Sequence, residues 1–239
     1  PVISWDGAYE NIEINGELTE QLNQLSQRSG VSLFMTLLSV FLVLLLRYSR
    51  QTDIAVGSPI AGRNHQEIEN LVGLFINNLV LRTDLSGNPG FDQLLRRVRE
   101  VALGAYAHQD VPFEQLVEHL QPERNVSHTP LFQVMFALQN SPMPDRQLSH
   151  IAVQMLEGVD TATAKYDLSL ELWESNDGLQ GRFEYNVRLF KVSSIKKMKQ
   201  HFMNLVQAVI LQPEQSINQL PMMDHYEIQQ VIHEWNDNT

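Results

Sequence analysis

An apolar run near the start of the chain restricts the folds that it can adopt. The run covers residues 33–46, where only Thr36 and Ser39 are polar. It is too short for a membrane-spanning helix, which needs about 20 mostly apolar residues, and too far from the N-terminus for a signal peptide. Ser32 is a favourable N-cap for a helix that runs to about residue 48. We therefore predict a helix buried on most sides in the core of a soluble, unexported protein.

The balance of charges and residue types excludes several classes of function. The 28 acidic side chains outnumber the 17 basic ones, which gives a net charge of −11. This charge repels nucleic acids and anionic membranes, so we expect neither as a partner. The absence of cysteine excludes disulfides, thiol nucleophiles and cysteine-ligated metals, and is compatible with a cytoplasmic location. None of the eight His residues is spaced as a ligand pair with a third acidic partner, so we predict no metal site.

Hydrophobic periodicity alternates along the chain between that of strands and that of helices. Strands are predicted at residues 9–14, 53–60, 75–83, 131–138, 151–156, 166–173 and 179–185, and helices at 18–28, 32–48, 91–107, 112–120 and 192–211. This order, with several adjacent strands late in the chain, predicts an α/β two-layer sandwich in which helices flank a mixed β-sheet. Residues 1–212 are expected to form this body. Residues 213–239 are expected to form a linker with one short helix.

Three short stretches within some sixty residues carry most of the chemical information. They are VGLFINNLVLR at residues 72–82, HQDVPFE at 108–114 and RNVSHTPLF at 124–132. Two further stretches are GSPIAGR at 57–63 and KYDL at 165–168. The glycines of GSPIAGR are spaced unlike those of a phosphate-binding loop, so nucleotide binding is unsupported. The sequence also lacks the Gly-x-Ser-x-Gly elbow that would seat a serine nucleophile.

In this order, the three stretches resemble the last three core motifs of the condensation domains of nonribosomal peptide synthetases. HQDVPFE fits the family's His-Gln-Asp-x-Pro-Phe-Glu pattern at every fixed position. Asn78 stands where the family usually has Thr or Ser, and Asn125 stands where it usually has Asp. The resemblance runs from about residue 7 to about residue 220, but only along the C-terminal lobe of such a domain. The His-His-x-x-x-Asp-Gly motif, which carries the family's catalytic His, is absent from the sequence.

The resemblance implies a chloramphenicol-acetyltransferase-like lobe, one of two that form a V around a reaction channel. The complete domain joins an aminoacyl thioester on one carrier to an acyl thioester on another. This lobe would supply a channel wall, a floor loop and a carrier docking surface, with no cofactor bound directly and with phosphopantetheine-linked substrates. The implied partners are the N-terminal lobe, peptidyl carrier domains and an adjacent adenylation domain. We expect the isolated chain to be inactive and to self-associate through the surface that its missing lobe would cover.

Two polar side chains are candidates for the substrate channel. Asn77 lies in an apolar strand, where its amide must form hydrogen bonds or face water; it could tie down a neighbouring loop or hold a pantetheine arm. Ser58 could face the channel or be a turn hydroxyl. We expect an ion pair for Arg63, and bonds to backbone groups for His108 and Asp110. The motif residues predicted to be structural are Arg63, Gly73, Phe75, Arg82, His108, Gln109, Asp110, Pro112, Phe113, Glu114, Arg124, Ser127, Pro130 and Asp167.

Functions from two other classes compete with this interpretation. A stand-alone acyltransferase of the acetyltransferase type would need its own His-His-x-x-x-Asp-Gly motif, whose absence argues against it. A non-catalytic module that docks carrier proteins or a partner lobe would not need that motif. An epimerization domain is a close relative in the same family, but the intact HQDVPFE stretch favours condensation.

Overall fold

The computed structural model describes residues 5–63, 67, 71–73, 75–122, 129–139, 162–230 and 232. Its strands are β1 (Gly7–Asn15), β2 (Asp53–Ile60), β3 (Asn77–Asp84), β4 (Val134–Gln139), β5 (Leu168–Ser175) and β6 (Gly178–Asn186). Its helices are α1 (Gly16–Arg28), α2 (Leu33–Ser49), α3 (Phe91–Ala107), α4 (Phe113–Leu120), α5 (Val192–Leu211) and α6 (His225–Gln229).

The strands form one mixed sheet in the order β1-β6-β5-β4-β2-β3. Strand β4 runs parallel to both of its neighbours, β2 and β5, and the other pairs are antiparallel. The predicted α/β sandwich with a mixed sheet and flanking helices is confirmed. Six of the predicted strands are present, with small shifts at their ends. The strand predicted at residues 151–156 lies outside the described residues.

Helix α2 forms the centre of the hydrophobic core, as its apolar sequence predicts. Most of its residues are buried, and it packs against α3 and α5. The Phe41 ring contacts the rings of Phe136 in β4 and Phe183 in β6, with centroid distances of 5.9 and 6.4 Å. Ser32 caps the helix as expected, because its side chain accepts a hydrogen bond from the backbone N–H of Met35 at 3.3 Å. The helix therefore covers the sheet from one side and is itself covered by its neighbours.

Helices α1 and α2 are separated by a sharp bend. Gly30 lies in this break with a φ of 66°, a left-handed conformation that favours glycine after the end of a helix. Within the described ranges, no single helix is long and apolar enough to cross a membrane. Helices α1 and α2 together reach that length and hydropathy, but the chain turns by 102° between them.

The tail after α5 remains part of the packed lobe. Ile217 and Leu220 are 0% and 1% exposed. Arg47 of α2 donates hydrogen bonds to the carbonyl oxygens of Asn218 and Leu220 at 2.9 and 3.1 Å. The boundary that we predicted after residue 212 therefore does not coincide with an edge of the hydrophobic core, because apolar residues of the tail extend that core. The short helix expected in the tail is present as α6.

Candidate functional site

The GSPIAGR and VGLFINNLVLR stretches pack on each other between the end of β2 and the start of β3. Gly62 has a φ of 61°, and a Cβ at this position would overlap the carbonyl oxygen of Phe75. Only glycine fits both conditions without strain. The guanidinium carbon of Arg63 lies 4.4 Å from the centroid of the Phe75 ring, a cation–π contact. Gly73 also approaches this ring, since its Cβ would lie 3.1 Å away. The structure shows the cation–π contact of Arg63 with Phe75, and the ion pair expected for Arg63 stays a prediction.

Asn77 begins β3 and ties it to the HQDVPFE stretch. Its Nδ2 donates hydrogen bonds to the carbonyl oxygens of Gln109 and Val111 at 2.9 and 2.8 Å. Its Oδ1 accepts hydrogen bonds from the backbone N–H groups of Asn78 and Phe113 at 2.9 and 3.1 Å. Both amide hydrogens and two acceptor positions are therefore used within the lobe. The contacts are those of a side chain that ties down a neighbouring loop, and they leave the amide few means of holding a substrate arm.

The HQDVPFE stretch forms the junction between α3 and α4. His108 ends α3, and its Nδ1 donates a hydrogen bond to the carbonyl oxygen of Gly104 at 2.9 Å. This is the backbone contact that we expected for His108. Pro112 is the N-cap of α4, one position before the helical turn in which we placed it, and Glu114 lies in that first turn, where its charge suits the helix dipole. The turn between the two helices contains Gln109 and Asp110.

The ring of Phe132, in the RNVSHTPLF stretch, contacts residues of three other motifs: HQDVPFE, KYDL and GSPIAGR. It lies 5.6 Å from the Phe113 ring of HQDVPFE and 5.6 Å from the Tyr166 ring of KYDL, measured between centroids. Phe132 is 1% exposed and lies across Gly57 of β2, where a Cβ would overlap the ring. Sequence reasoning missed this contact. The available signal was a glycine inside a strand, which often marks the close approach of another group.

Ser58 lies on the side of the sheet that the helices cover. In the β2–β3 ladder it pairs with Leu79, two positions from the pair of Val56 with Leu81. Paired residues and alternate residues share a face, and Val56 and Leu81 are core residues with 0% exposure. Ser58 itself is 4% exposed. Its hydroxyl therefore faces the packed side of the sheet, and its place in a substrate channel stays a prediction.

Arg82 forms a bidentate ion pair across the edge of the sheet. Its guanidinium donates hydrogen bonds to both carboxylate oxygens of Asp53, the shortest at 2.6 Å. These hydrogen bonds and the positive charge hold the pKa of Asp53 below its usual value. The two side chains are 73% and 53% exposed, so the pair contributes little to stability. Arg82 thus has a structural contact, in line with its assignment.

The remaining motif residues hold loops by their backbone groups or fall outside the described structure. The backbone N–H of Asp167 donates to the carbonyl of Gln133, and the carbonyl of Asp167 accepts from the backbone N–H of Asn186. The carbonyl of Pro130 accepts from the backbone N–H of Phe132. Across the part of the chain that the structure describes, no three His, Asp or Glu side chains lie close enough to hold a metal ion. The motif residues outside the described ranges are Arg124 and Ser127.

Comparison with known proteins identifies the family. A family model described as the condensation domain matches residues 1–232. The chain belongs to the condensation domain family. Its relatives include a component of the linear gramicidin synthase of Brevibacillus parabrevis, which is 52% identical over 98% of this chain and 5% of its own length. The malpinin synthetase of Mortierella alpina is 44% identical over 90% of this chain and 3% of its own length. This condensation-domain chain therefore spans a small part of the relatives that it matches.

Solved structures share the fold of this condensation-domain chain. A four-domain nonribosomal peptide synthetase bound to AMP and glycine aligns with a TM-score of 0.84 at 23% identity, over 95% of this chain and 18% of that one. The X-domain from teicoplanin biosynthesis aligns with a TM-score of 0.82 at 22% identity, over 93% of this chain and 51% of that one. The predicted relationship to the condensation domains of nonribosomal peptide synthetases, and the predicted fold, are confirmed.

Proposed function

We propose that this chain is the C-terminal lobe of a condensation domain that forms peptide bonds between carrier-bound aminoacyl and peptidyl thioesters. The lobe supplies a wall and a floor loop of the reaction channel, together with a docking surface for carrier domains. It binds no cofactor of its own, and its substrates arrive on phosphopantetheine arms. One observation carries the proposal: the family's motifs pack together around Asn77 and Phe132, while the catalytic His motif is absent from the sequence.

The chemistry assigns a scaffold role to this lobe. Peptide-bond formation needs an uncharged amine close to the thioester carbon, and holding both arms in one channel contributes about 7–11 kcal/mol to the lowering of the barrier. The group that positions or deprotonates the amine belongs to the other lobe under this proposal. Here Asn77 acts as a positioning residue for the channel wall, because its amide fixes the backbone of Gln109 and Val111.

The same proposal names the partners and the setting. The chain matches about half the length of the X-domain structure, which supports an N-terminal lobe of similar size as its first partner. Carrier domains and an adenylation domain that follows the tail are the others. We place the complete protein in the cytoplasm, consistent with the absence of cysteine.

A non-catalytic interaction module is the second candidate. The observation that favours it is a solved complex of the teicoplanin X-domain with OxyB, in which the X-domain has the same fold as this chain at 22% identity and a TM-score of 0.82. A lobe of this fold could therefore serve to dock a protein partner and leave the chemistry to another domain.

Reconstitution separates the two candidates. The chain would be tested alone and joined to an N-terminal lobe that carries an intact His-His-x-x-x-Asp-Gly motif, with two loaded carrier domains and mass spectrometry of the carrier-bound product. We expect no dipeptide from the chain alone and dipeptide from the joined lobes. The same joined protein with the motif His replaced by alanine is the control.

Three outcomes would decide against the proposal. Turnover by the chain alone, at a rate close to that of the joined lobes, would contradict the assignment of the catalytic group to the other lobe. A folded joined protein that binds carriers and forms no product would favour the interaction module. Equal rates with and without the motif His would remove the basis for a scaffold role.

A further inference from the structure

Four polar side chains from α2, α5 and α6 form a hydrogen-bonded chain that the proposed function does not use. The Tyr48 hydroxyl lies 2.8 Å from Nδ1 of His201, and Nε2 of His201 lies 2.6 Å from Oε2 of Glu227. Lys197 donates from Nζ to Oε1 of Glu227 at 3.2 Å. The side chains of His201 and Glu227 are only 7% and 16% exposed. The centre of this chain is therefore largely removed from water.

The protonation states favour fixed contacts over reactivity. Burial, followed by the negative charge of Glu227, raises the pKa of Tyr48 to about 12. The hydroxyl therefore stays protonated at neutral pH, and the Nε2–H of His201 donates to the Glu227 carboxylate. Burial raises the pKa of Glu227, but the hydrogen bonds from His201 and Lys197 and the positive charge of Lys197 lower it, and the net shift is downward, so its carboxyl stays ionised. A hydroxyl as weakly acidic as that of Tyr48 is a donor and a poor nucleophile.

Among the described residues, apolar packing does not explain why α6 is docked. The helix has five residues and none of them is buried, and Tyr226 and Ile228 are 68% and 38% exposed. A helix this short is unstable in isolation. Its inward contact is Glu227, which reaches two side chains of α5 through separate carboxylate oxygens. Charge-assisted hydrogen bonds of this kind are stronger than neutral ones.

We infer that Tyr48, His201, Glu227 and Lys197 form a latch that fixes α6 to the body of the lobe. A partly buried histidine needs partners for both ring nitrogens, and here they come from two different helices. The chain leading into α6 is held as well, because Asn204 donates to the carbonyl of Met222 at 2.8 Å. The latch therefore sets the position and the direction of α6 on the lobe. Under the proposed function, on which this consequence rests, it orients the domain that follows relative to the channel.

Hydrogen exchange of the intact chain tests the latch without any activity assay. Amide exchange would be followed by mass spectrometry in peptides that cover α6 and, separately, α2. We expect Glu227→Ala to speed exchange in α6 by about tenfold or more, Glu227→Gln to have a smaller effect, and α2 to be unchanged. Tyr48→Phe removes only the outer hydroxyl, so we expect amide exchange in α6 to lie between that of the unchanged protein and that of Glu227→Ala.

Glu214→Gln is the matched control, because it removes the same charge from an exposed side chain of the same tail. We expect this control to leave exchange in α6 unchanged. Unchanged α6 exchange in Glu227→Ala would overturn the latch. An equal acceleration in α6 and α2 would also overturn it, since that result reports a loss of global stability. Because no substrate is involved, failure of the latch leaves the proposed function untouched, and failure of reconstitution leaves the latch untouched.

Discussion

Replacing Gly57 with alanine is expected to destabilise the lobe by about 1–3 kcal/mol, the usual cost of overpacking a core. The added Cβ would overlap the ring of Phe132, which is 1% exposed and cannot move without disturbing its contacts with Phe113 and Tyr166. The loss of unfolding free energy would be measured by denaturant titration. We also expect the HQDVPFE loop to exchange amide hydrogens faster, because Phe113 is part of this aromatic stack.

Two further variants make this result specific. Gly104→Ala is the matched control, because it lies inside α3 and a Cβ there would meet no atom within 4 Å other than its chain neighbours and the adjacent backbone of its own helix. We expect it to stabilise the lobe by up to about 1 kcal/mol. Combining Gly57→Ala with Phe132→Leu should cost less than the sum of the two single changes, because the smaller side chain relieves the overlap. A harmless Gly57→Ala variant, or strictly additive losses in the double variant, would show that Phe132 does not lie across Gly57 in solution.

Asn77→Ala is expected to lower the unfolding free energy by about 1–3 kcal/mol, because it leaves three loop groups without their partner. Those groups are the carbonyls of Gln109 and Val111 and the backbone N–H of Phe113. Amide exchange in residues 109–113 should accelerate with it. In a complete domain, the rate of condensation should fall only to the extent that the loop at residues 109–113 becomes disordered. Asn77→Asp keeps the shape and loses both donors, so it should destabilise the lobe as well.

The neighbouring Asn78 provides the control for this experiment. Its side chain points to the opposite face of β3, and its contact with the Asn77 amide is made by its backbone N–H. Asn78→Ala should therefore change stability by no more than about 0.5 kcal/mol. An Asn77→Ala variant with unchanged stability and loop exchange, but with slow condensation, would show that the amide contacts substrate in the channel.

The sheet and the main helices could be predicted because they depend on local pattern. The apolar run of α2 and the helical spacing of α5 specify buried helices in any compact fold. Val192 shares the helical spacing of the buried residues of α5, but it is 50% exposed because it lies at the first turn. His201 lies among the apolar positions of α5 and gave no sign of its partners, since Tyr48 and Glu227 are remote in sequence.

Contacts within the site were less predictable, because they join residues far apart in the chain. The pattern around Asn77 allowed a loop tie or a substrate contact; the loop tie depends on the position of the α3–α4 junction, which the sequence does not give, and the substrate contact stays a prediction. Arg63 was expected to pair with a carboxylate, but the aromatic partner that the structure shows could not be predicted from spacing. The burial of Ile217 and Leu220 could not be predicted either, because a polar tail with only a few apolar residues has the composition of a linker.

The measurement that tests our central claim most directly is the single-turnover rate of the joined two-lobe domain with His108 replaced by alanine. His108 is the histidine in the most complete motif of this chain, and its Nδ1 is bound to the carbonyl of Gly104. A general base contributes about 10²–10⁴-fold to the rate of a reaction. If this lobe is a scaffold, the folded His108→Ala protein keeps its rate within a few-fold. A loss of about 10²-fold or more at an unchanged folded fraction would contradict that claim and place a catalytic group in this lobe.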